Sequence, residues 1–322
     1  MGFYDARIKY LYETCPRLVV MSINSIFNKH HSLEAEVHYL DKEQAGEKDD
    51  NETFMDMLIQ IEKQKYHFEF QLLEDNMAIR MYEYSAKETI REIEHAANQD
   101  ELHDRYEIEI IMAAQAVIFL AGNNRKNEII VNMTLPDGQR VTYMLPCISA
   151  SATVEELIER ELFILIPFQQ VQLNNRMNNI SRRSAEAKHQ IALEMYKFHQ
   201  DVKKGLEKLL KDGKIISDEY RKLIVTFSNL ENYLSEKNEE VRQEVKKMGD
   251  KDYVCWSDRI EAKAKAESKA EDILEVLEHL GEVPQLLRDK VMTQMDLEIL
   301  KDWFKMAIKA ESIAEFEKKI GE

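Results

Sequence analysis

The spacing of apolar positions changes several times in the first 150 residues. Apolar residues three and four positions apart over residues 4–28 predict one or two short helices, interrupted near Pro16. Alternating or continuous apolar residues predict strands at 34–40, 54–62, 65–72 and 115–122, with a helix at about 76–93. Asp137-Gly138, between two further alternating segments, is a strong hairpin signal. An α/β fold follows, in the order helix, strand, strand, strand, helix, strand, with an added hairpin.

The pattern becomes helical after about residue 153. Segments 185–214 and 217–250 predict a pair of long helices that turn at Asp212-Gly213, and 257–322 predicts three or four shorter amphipathic helices. These C-terminal helices are a possible surface for homo-oligomer formation. The pattern therefore predicts three parts, namely a core at 1–150, a long-helix arm at 151–255 and a helical subdomain at 256–322.

Composition narrows the choice of partners. The chain has 322 residues, of which 44% are hydrophobic and 32% charged, which is typical of a protein with a real core. The net charge of -16 gives no general attraction for nucleic acid or membrane, so any DNA contact must rest on a local basic patch or on metal ions. Three widely separated cysteines, no signal peptide pattern and no apolar run of about 20 residues favour a cytoplasmic protein without a membrane association.

A pair of acidic positions stands out in the predicted strands 54–62 and 65–72. In "YHFEFQ", residues 66–71, aromatic and polar side chains alternate, so His67, Glu69 and Gln71 share the face opposite the aromatic residues. A turn near residues 62 and 63 would place Asp56 directly opposite Glu69, with the two side chains on one face and about 5 Å apart at Cβ. Two carboxylates so close repel each other, and a hard divalent cation such as Mg2+ removes that penalty. Acidic residues on a solvated hairpin face are the alternative account.

The segment "MDMLIQIEKQKYHFEFQ" followed by "MAIRMYEY" resembles the PD-(D/E)XK nuclease superfamily, and most of all its bacterial branch of transposase-like, recombination-promoting nucleases. The hairpin around Asp137-Gly138 and four further segments resemble the same branch; the segments are "AVIFLAGN", "ELFILIPFQ", "DILEVLEHLG" and "LEILKDWFKMAIKAESIAEFEKKI". The resemblance implies an αβββαβ core. It also implies a motif of Asp56, then Glu69 with Gln71, then a helix that carries Arg80 and Tyr84.

The same resemblance implies a metal-dependent DNA endonuclease that acts in recombination or on mobile DNA. Asp56, Glu69 and the backbone carbonyl of Phe70 would hold Mg2+ or Mn2+, and Gln71 would position the attacking water. Most nucleases of the superfamily have lysine at the position of Gln71, which can offset phosphate charge, whereas glutamine can only hydrogen-bond. A catalytically weak or inactive protein that keeps the fold as an interaction or dimerisation module is therefore the alternative.

Several other polar residues keep two interpretations. Glu13, or else Asp5, is the candidate for the acidic residue that such nucleases often draw from their first helix, and each is equally explained as a solvated helix charge. His67 either approaches the metal or is an ordinary polar-face histidine. Arg80 either contacts a scissile phosphate or forms a salt bridge with Glu69.

A locally basic stretch lies in this acidic chain at "NNRMNNISRRSAEAK", residues 174–188. Arg182, Arg183 and Lys188 in it are candidate contacts to the DNA backbone. An ordinary solvated helix face explains the same residues.

Overall fold

The computed structural model describes residues 3–40, 57–72, 77–98, 111–121, 127–248, 251–281 and 283–320. The chain divides into two compact units, Met1–Val245 and Lys246–Glu322. The boundary predicted near residue 150 lies inside the first unit. None of the described helices is both long enough and apolar enough to cross a bilayer.

Two helices, three strands, one helix and three more strands follow one another up to residue 149, and the described elements after it are helices. In chain order they are α1 (Phe3–Thr14), α2 (Pro16–Phe27), β1 (Val37–Tyr39), β2 (Met57–Ile61), β3 (Gln64–Gln71), α3 (Met77–Asn98), β4 (Ala114–Phe119), β5 (Glu128–Thr134), β6 (Arg140–Ser149), α4 (Val154–Glu159), α5 (Asn174–Asn178), α6 (Ala185–Lys211), α7 (Ser217–Ser235), α8 (Glu239–Met248), α9 (Lys251–Glu278), α10 (Gln285–Thr293), α11 (Leu297–Lys309) and α12 (Ile313–Lys319).

A mixed six-stranded sheet forms the centre of the first unit, in the order β1-β2-β3-β4-β6-β5. β1, β2 and β3 pair antiparallel, β4 is parallel to both β3 and β6, and β5 pairs antiparallel with β6. The parallel pair β3 and β4 needs a crossover, which α3 supplies. The predicted α/β class and the hairpin at Asp137-Gly138 are confirmed.

The β2–β3 hairpin has the register that the sequence predicted. Met57 pairs with Phe68, and Ile61 pairs with Gln64 on either side of a two-residue turn. Glu62 in that turn takes a positive φ of 55°, which reverses the chain within so short a connection. The side chains of β3 therefore alternate between the two faces as the pattern predicted.

The two N-terminal helices meet at Pro16, as expected. Proline is tolerated in the first turn of α2, because the backbone N–H that it lacks would have no partner there. α2 ends at Phe27, and the next residue, Asn28, adopts the left-handed conformation and donates its backbone N–H to the Asn24 carbonyl.

Two predicted helical segments are divided in the structure, namely the segment after residue 153 and the second of the two long helices, which corrects the prediction. The helical segment after residue 153 contains a 3-10 helix, Phe163–Leu173, with Pro167 inside it, and proline removes a hydrogen bond that an α-helix requires. The segment 217–250 is broken between α7 and α8. There the Asn238 side chain accepts a hydrogen bond from the Val241 backbone N–H at 3.0 Å and so starts a new helix.

The second unit consists of helices α9 to α12 around an apolar core of its own, whose buried side chains include Ile273, Leu277, Leu300 and Phe316. The breaks predicted at Gly281 and Pro284 fall between α9 and α10.

Candidate active site

Helices cover both faces of β3. The aromatic face packs against the N-terminal helices: the ring centroid of Phe68 lies 5.3 Å from that of Tyr12 in α1, and the ring centroid of Tyr66 lies 5.2 Å from that of Phe27 in α2. This packing uses only alternate residues of the strand, so the intervening side chains point to the opposite face.

The opposite face of β3 is not solvated. His67 and Glu69 are buried there, with 0% and 1% of their surface exposed. Met81 and Tyr84 of α3 are buried in the same part of the molecule, and the His67 ring lies 5.5 Å from the Tyr84 ring. An ionised carboxylate at such a place is costly unless charged and polar groups compensate for it.

Arg80 supplies the compensating charge for Glu69. Its Nη2 atom donates to Glu69 Oε1 at 2.6 Å and to the Tyr84 hydroxyl at 3.1 Å. Arg80 and Tyr84 are four residues apart on α3 and therefore share one face of that helix. Gln71, two residues beyond Glu69 on the strand, donates its Nε2 to the same Oε1 at 3.2 Å. Of the two roles considered for Arg80, the salt bridge with Glu69 is thus present.

A second set of polar contacts reaches Glu69 from β4. His67 pairs with Gln115 across the parallel strands. Gln115 Nε2 lies 2.9 Å from His67 Nδ1 and donates to the Met81 carbonyl at 2.9 Å. The other ring nitrogen, His67 Nε2, lies 3.6 Å from Glu69 Oε2 and has no hydrogen-bond partner in the part of the chain that the structure describes.

Gln115 is the residue of this group that the sequence analysis missed. Its signal is weak, because it is one polar side chain at the start of the apolar run "QAVIFLAG". A buried strand has little room for an unpaired amide, so the polar residue itself hinted at a buried partner.

The Glu69 carboxylate lies near the carboxyl ends of β3 and β4. Gln71 is the last residue of β3, and its carbonyl accepts the Leu120 backbone N–H at 2.7 Å, just past the end of β4. In open α/β sheets, ligands bind outside the carboxyl ends of the strands. Glu69 therefore lies close to the edge of the sheet at which ligands bind in such folds, although its own side chain is buried.

Asp56 directly precedes Met57 and lies outside the described residues. Among the residues that are described, no group of three or more histidine, cysteine, aspartate or glutamate side chains could hold a metal ion. The donors named from the sequence are carboxylate and carbonyl oxygens, and such donors suit Mg2+ or Mn2+. Of these donors, Glu69 and Phe70 are in the described part, and the Phe70 side chain packs 5.2 Å from the Tyr12 ring.

The structure locates Glu13 at the exposed end of α1. The Tyr39 hydroxyl donates to the Tyr12 carbonyl. The pKa of the Tyr39 phenol is raised chiefly by burial, and to a smaller extent by the electrostatic effects of Cys15 and Glu13. Asp5, the other candidate, forms a salt bridge with Lys9 at 3.3 Å. α1 packs on the aromatic face of β3, whereas Glu69 lies on the other face.

The three basic candidates after residue 176 differ in their surroundings. Arg182 and Arg183 are exposed at a short 3-10 turn, and neither is in an ion pair with another residue of the described ranges. Lys188 forms an ion pair with Glu240 of α8, with Nζ 2.5 Å from Oε2. A nearby arginine, Arg176, is likewise held by Glu194. Arg182 and Arg183 are therefore the better placed of the three for a phosphate contact.

Comparisons of the chain with protein-family models, with curated proteins and with solved structures give no match.

Proposed function

We propose that the protein is a divalent-metal-dependent DNA endonuclease of the PD-(D/E)XK type, acting in recombination or on mobile DNA. One observation carries the proposal: the buried Glu69 carboxylate lies near the carboxyl end of β3, where Arg80 and Gln71 both hold the same oxygen. The β2–β3 register supports it, because Met57, the residue after Asp56 in the sequence, pairs with Phe68, the residue before Glu69.

The protein's own residues would bind the metal ion and hold the Glu69 carboxylate in place. Glu69 and the Phe70 carbonyl, with Asp56, are the proposed ligands of Mg2+ or Mn2+. When bound, such a cation lowers the pKa of a coordinated water and offsets phosphate charge. Arg80 pairs with the Glu69 carboxylate in its buried position and fixes one of its two oxygens.

Gln71 has a defined contact that limits its role. Its amide N–H₂ group donates to Glu69 Oε1, which leaves the amide oxygen as the acceptor that could orient an attacking water. Glutamine carries no charge and cannot deprotonate that water, so we expect a slow enzyme compared with relatives that have lysine at this position.

Contact with DNA would depend on a few positive groups, because the whole chain carries a charge of -16. The Arg80 guanidinium is about one-third exposed beside the acidic group and could face a phosphate on its open side. Arg182 and Arg183 are proposed as a second contact. DNA in a bacterial cell is reached from the cytoplasm, which is the proposed location.

A specific observation favours one competing function. The Glu69 carboxylate is already paired with Arg80 and is almost fully buried, which is also how a purely structural salt bridge looks. A protein that keeps the nuclease fold as an interaction or dimerisation module would have the same contacts, and the long helices α6 and α7 would serve as its partner surface.

A cleavage assay on supercoiled plasmid separates the two functions. We expect nicking or linearisation with Mg2+ or Mn2+ and none with EDTA. Gln71→Ala should slow cleavage, whereas Gln71→Lys should keep or raise the rate, since lysine restores a charge beside the phosphate. Intact plasmid at all metal concentrations, with a folded protein, would favour the interaction module instead.

A further inference from the structure

We propose that His67 is a positioning residue for Glu69, and that Gln115 sets the imidazole tautomer which this role requires. The group consists of His67, Glu69 and Gln115 on neighbouring strands, with the Met81 carbonyl behind them. The tautomer follows from these contacts alone, whereas the consequence for DNA cleavage rests on the proposed function.

The orientation of the Gln115 amide is fixed by α3. The Met81 carbonyl can only accept a hydrogen bond, so the amide atom 2.9 Å from it must be the nitrogen, which donates. A flipped amide would set two oxygens against each other at that distance. Nε2 carries two hydrogens, and the second is available for His67.

The same nitrogen determines which ring atom of His67 carries the proton. Gln115 Nε2 lies 2.9 Å from His67 Nδ1 and has no lone pair to offer, so Nδ1 must be the acceptor. The proton of the neutral imidazole then resides on Nε2. That N–H group is fully buried and lies 3.6 Å from Glu69 Oε2.

This tautomer excludes His67 from the metal ligands. A metal-binding Nε2 needs the ring proton on Nδ1, where it would meet the N–H of Gln115, whereas metal-ligating histidines donate that proton to an oxygen. The geometry instead gives each Glu69 oxygen its own donor: Arg80 and Gln71 hold Oε1, and His67 faces Oε2. The separation of 3.6 Å exceeds a hydrogen bond, and we expect it to shorten when substrate is bound.

The tautomer can be read by NMR without any enzymatic activity. In the full-length protein labelled with ¹⁵N-histidine, we expect the His67 ring to show an unprotonated Nδ1 and a protonated Nε2, before and after addition of Mg2+. The signal is assigned by its loss in His67→Gln. A protonated Nδ1, or loss of the Nε2 proton when Mg2+ is added, would overturn the proposal.

Two substitutions of His67 test the positioning role. The amide nitrogen of His67→Gln reaches about as far as Nε2 and can donate to Glu69, whereas His67→Leu removes the donor. We expect the leucine variant to lose about 10- to 100-fold in kcat, with little change in KM for DNA, and the glutamine variant to regain most of that loss. A glutamine variant as slow as the leucine variant, or a loss confined to KM, would refute the role. An inactive wild type would count against the nuclease function alone, since the tautomer is measured separately.

Discussion

Two buried glutamates of the first unit each face a histidine, yet their surroundings differ. Glu69 on β3 has Arg80, Gln71 and His67 around it, near the carboxyl end of the sheet. Glu231 on α7 faces His199 on α6, with Oε2 3.3 Å from Nδ1. Its second oxygen, Oε1, has no hydrogen-bond partner in the described part of the chain.

The difference lies in how each carboxylate is held. At Glu69, a guanidinium and an amide converge on one oxygen, which orients the group as well as compensating for its charge. At Glu231, the contact with His199 joins two packed helices, beside the Phe227 ring. An oriented acid near strand ends suits catalysis, whereas a pair that links two helices suits the stability of the fold. Burial of an acid next to a histidine is therefore not enough to define a site.

The largest expected effect is on cleavage. Glu69→Gln should lower the cleavage rate about 100- to 1000-fold or more, because it removes a charge from the proposed metal site. Glu231→Gln, the matched substitution at the other pair, should leave the rate per folded molecule unchanged. Rates are measured on supercoiled plasmid, with the folded fraction of each variant checked by circular dichroism. Equal losses in both variants would remove the distinction between the two pairs.

The salt bridge between Arg80 and Glu69 should contribute to the free energy of unfolding. Arg80→Met leaves Glu69 buried without its cation, and because Arg80 is about one-third exposed we expect a loss of about 2–3 kcal/mol in the free energy of unfolding, somewhat below the range for fully buried pairs. Urea denaturation at neutral pH measures this loss. Glu69→Gln combined with Arg80→Met should recover much of it. A double variant as unstable as the sum of the two single variants would mean that the two side chains are not coupled.

The packing of α6, the helix that carries His199, can be disturbed without a change at Glu69. A Cβ atom built on Gly205 of α6 lies 2.5 Å from Val154 Cγ1 of α4, so Gly205→Ala should cost about 1–3 kcal/mol despite the better helix propensity of alanine. Adding Val154→Ala should restore part of the stability. Denaturation curves test this, and cleavage per folded molecule should stay constant. A stabilised Gly205→Ala variant would contradict the packing described for α4 and α6.

The smallest effect concerns DNA affinity. Arg182→Ala with Arg183→Ala should reduce the slope of log affinity against log salt by up to about 2, evenly across DNA sequences. Lys301→Ala with Lys305→Ala is the control, because it also removes two positive charges, but from lysines that form ion pairs with Glu298 and Asp302. We expect this control to leave the slope unchanged. Fluorescence anisotropy at several salt concentrations measures both. Equal slopes in both double variants would mean that DNA contacts another surface of the protein.

The sequence was sufficient for the features that depend on neighbours along the chain. The two faces of β3 followed from alternation, and the register of β2 with β3 followed from the position of a two-residue turn. The break at Pro16 and the hairpin at Asp137-Gly138 have equally local causes.

Contacts that join distant parts of the chain were not predictable in the same way. Gln115 meets His67 across 48 positions, because β4 returns parallel to β3 after α3, and no local pattern fixes that register. The burial of Glu69 also depends on α3 covering the polar face, although period-two alternation is typical of a half-solvated strand. The break between α7 and α8 rests on one capping side chain, Asn238, inside a continuous amphipathic pattern.

Calorimetric titration of Mn2+ shows whether Glu69 and its neighbours bind a divalent cation at all, which the proposed nuclease function requires. We expect a saturable site in the wild type, the same site in Glu231→Gln, and no binding in Glu69→Gln. Asp56→Ala should also abolish binding and leave the fold intact. Equal Mn2+ binding by the wild type and Glu69→Gln, or none by the wild type, would contradict the proposed metal site.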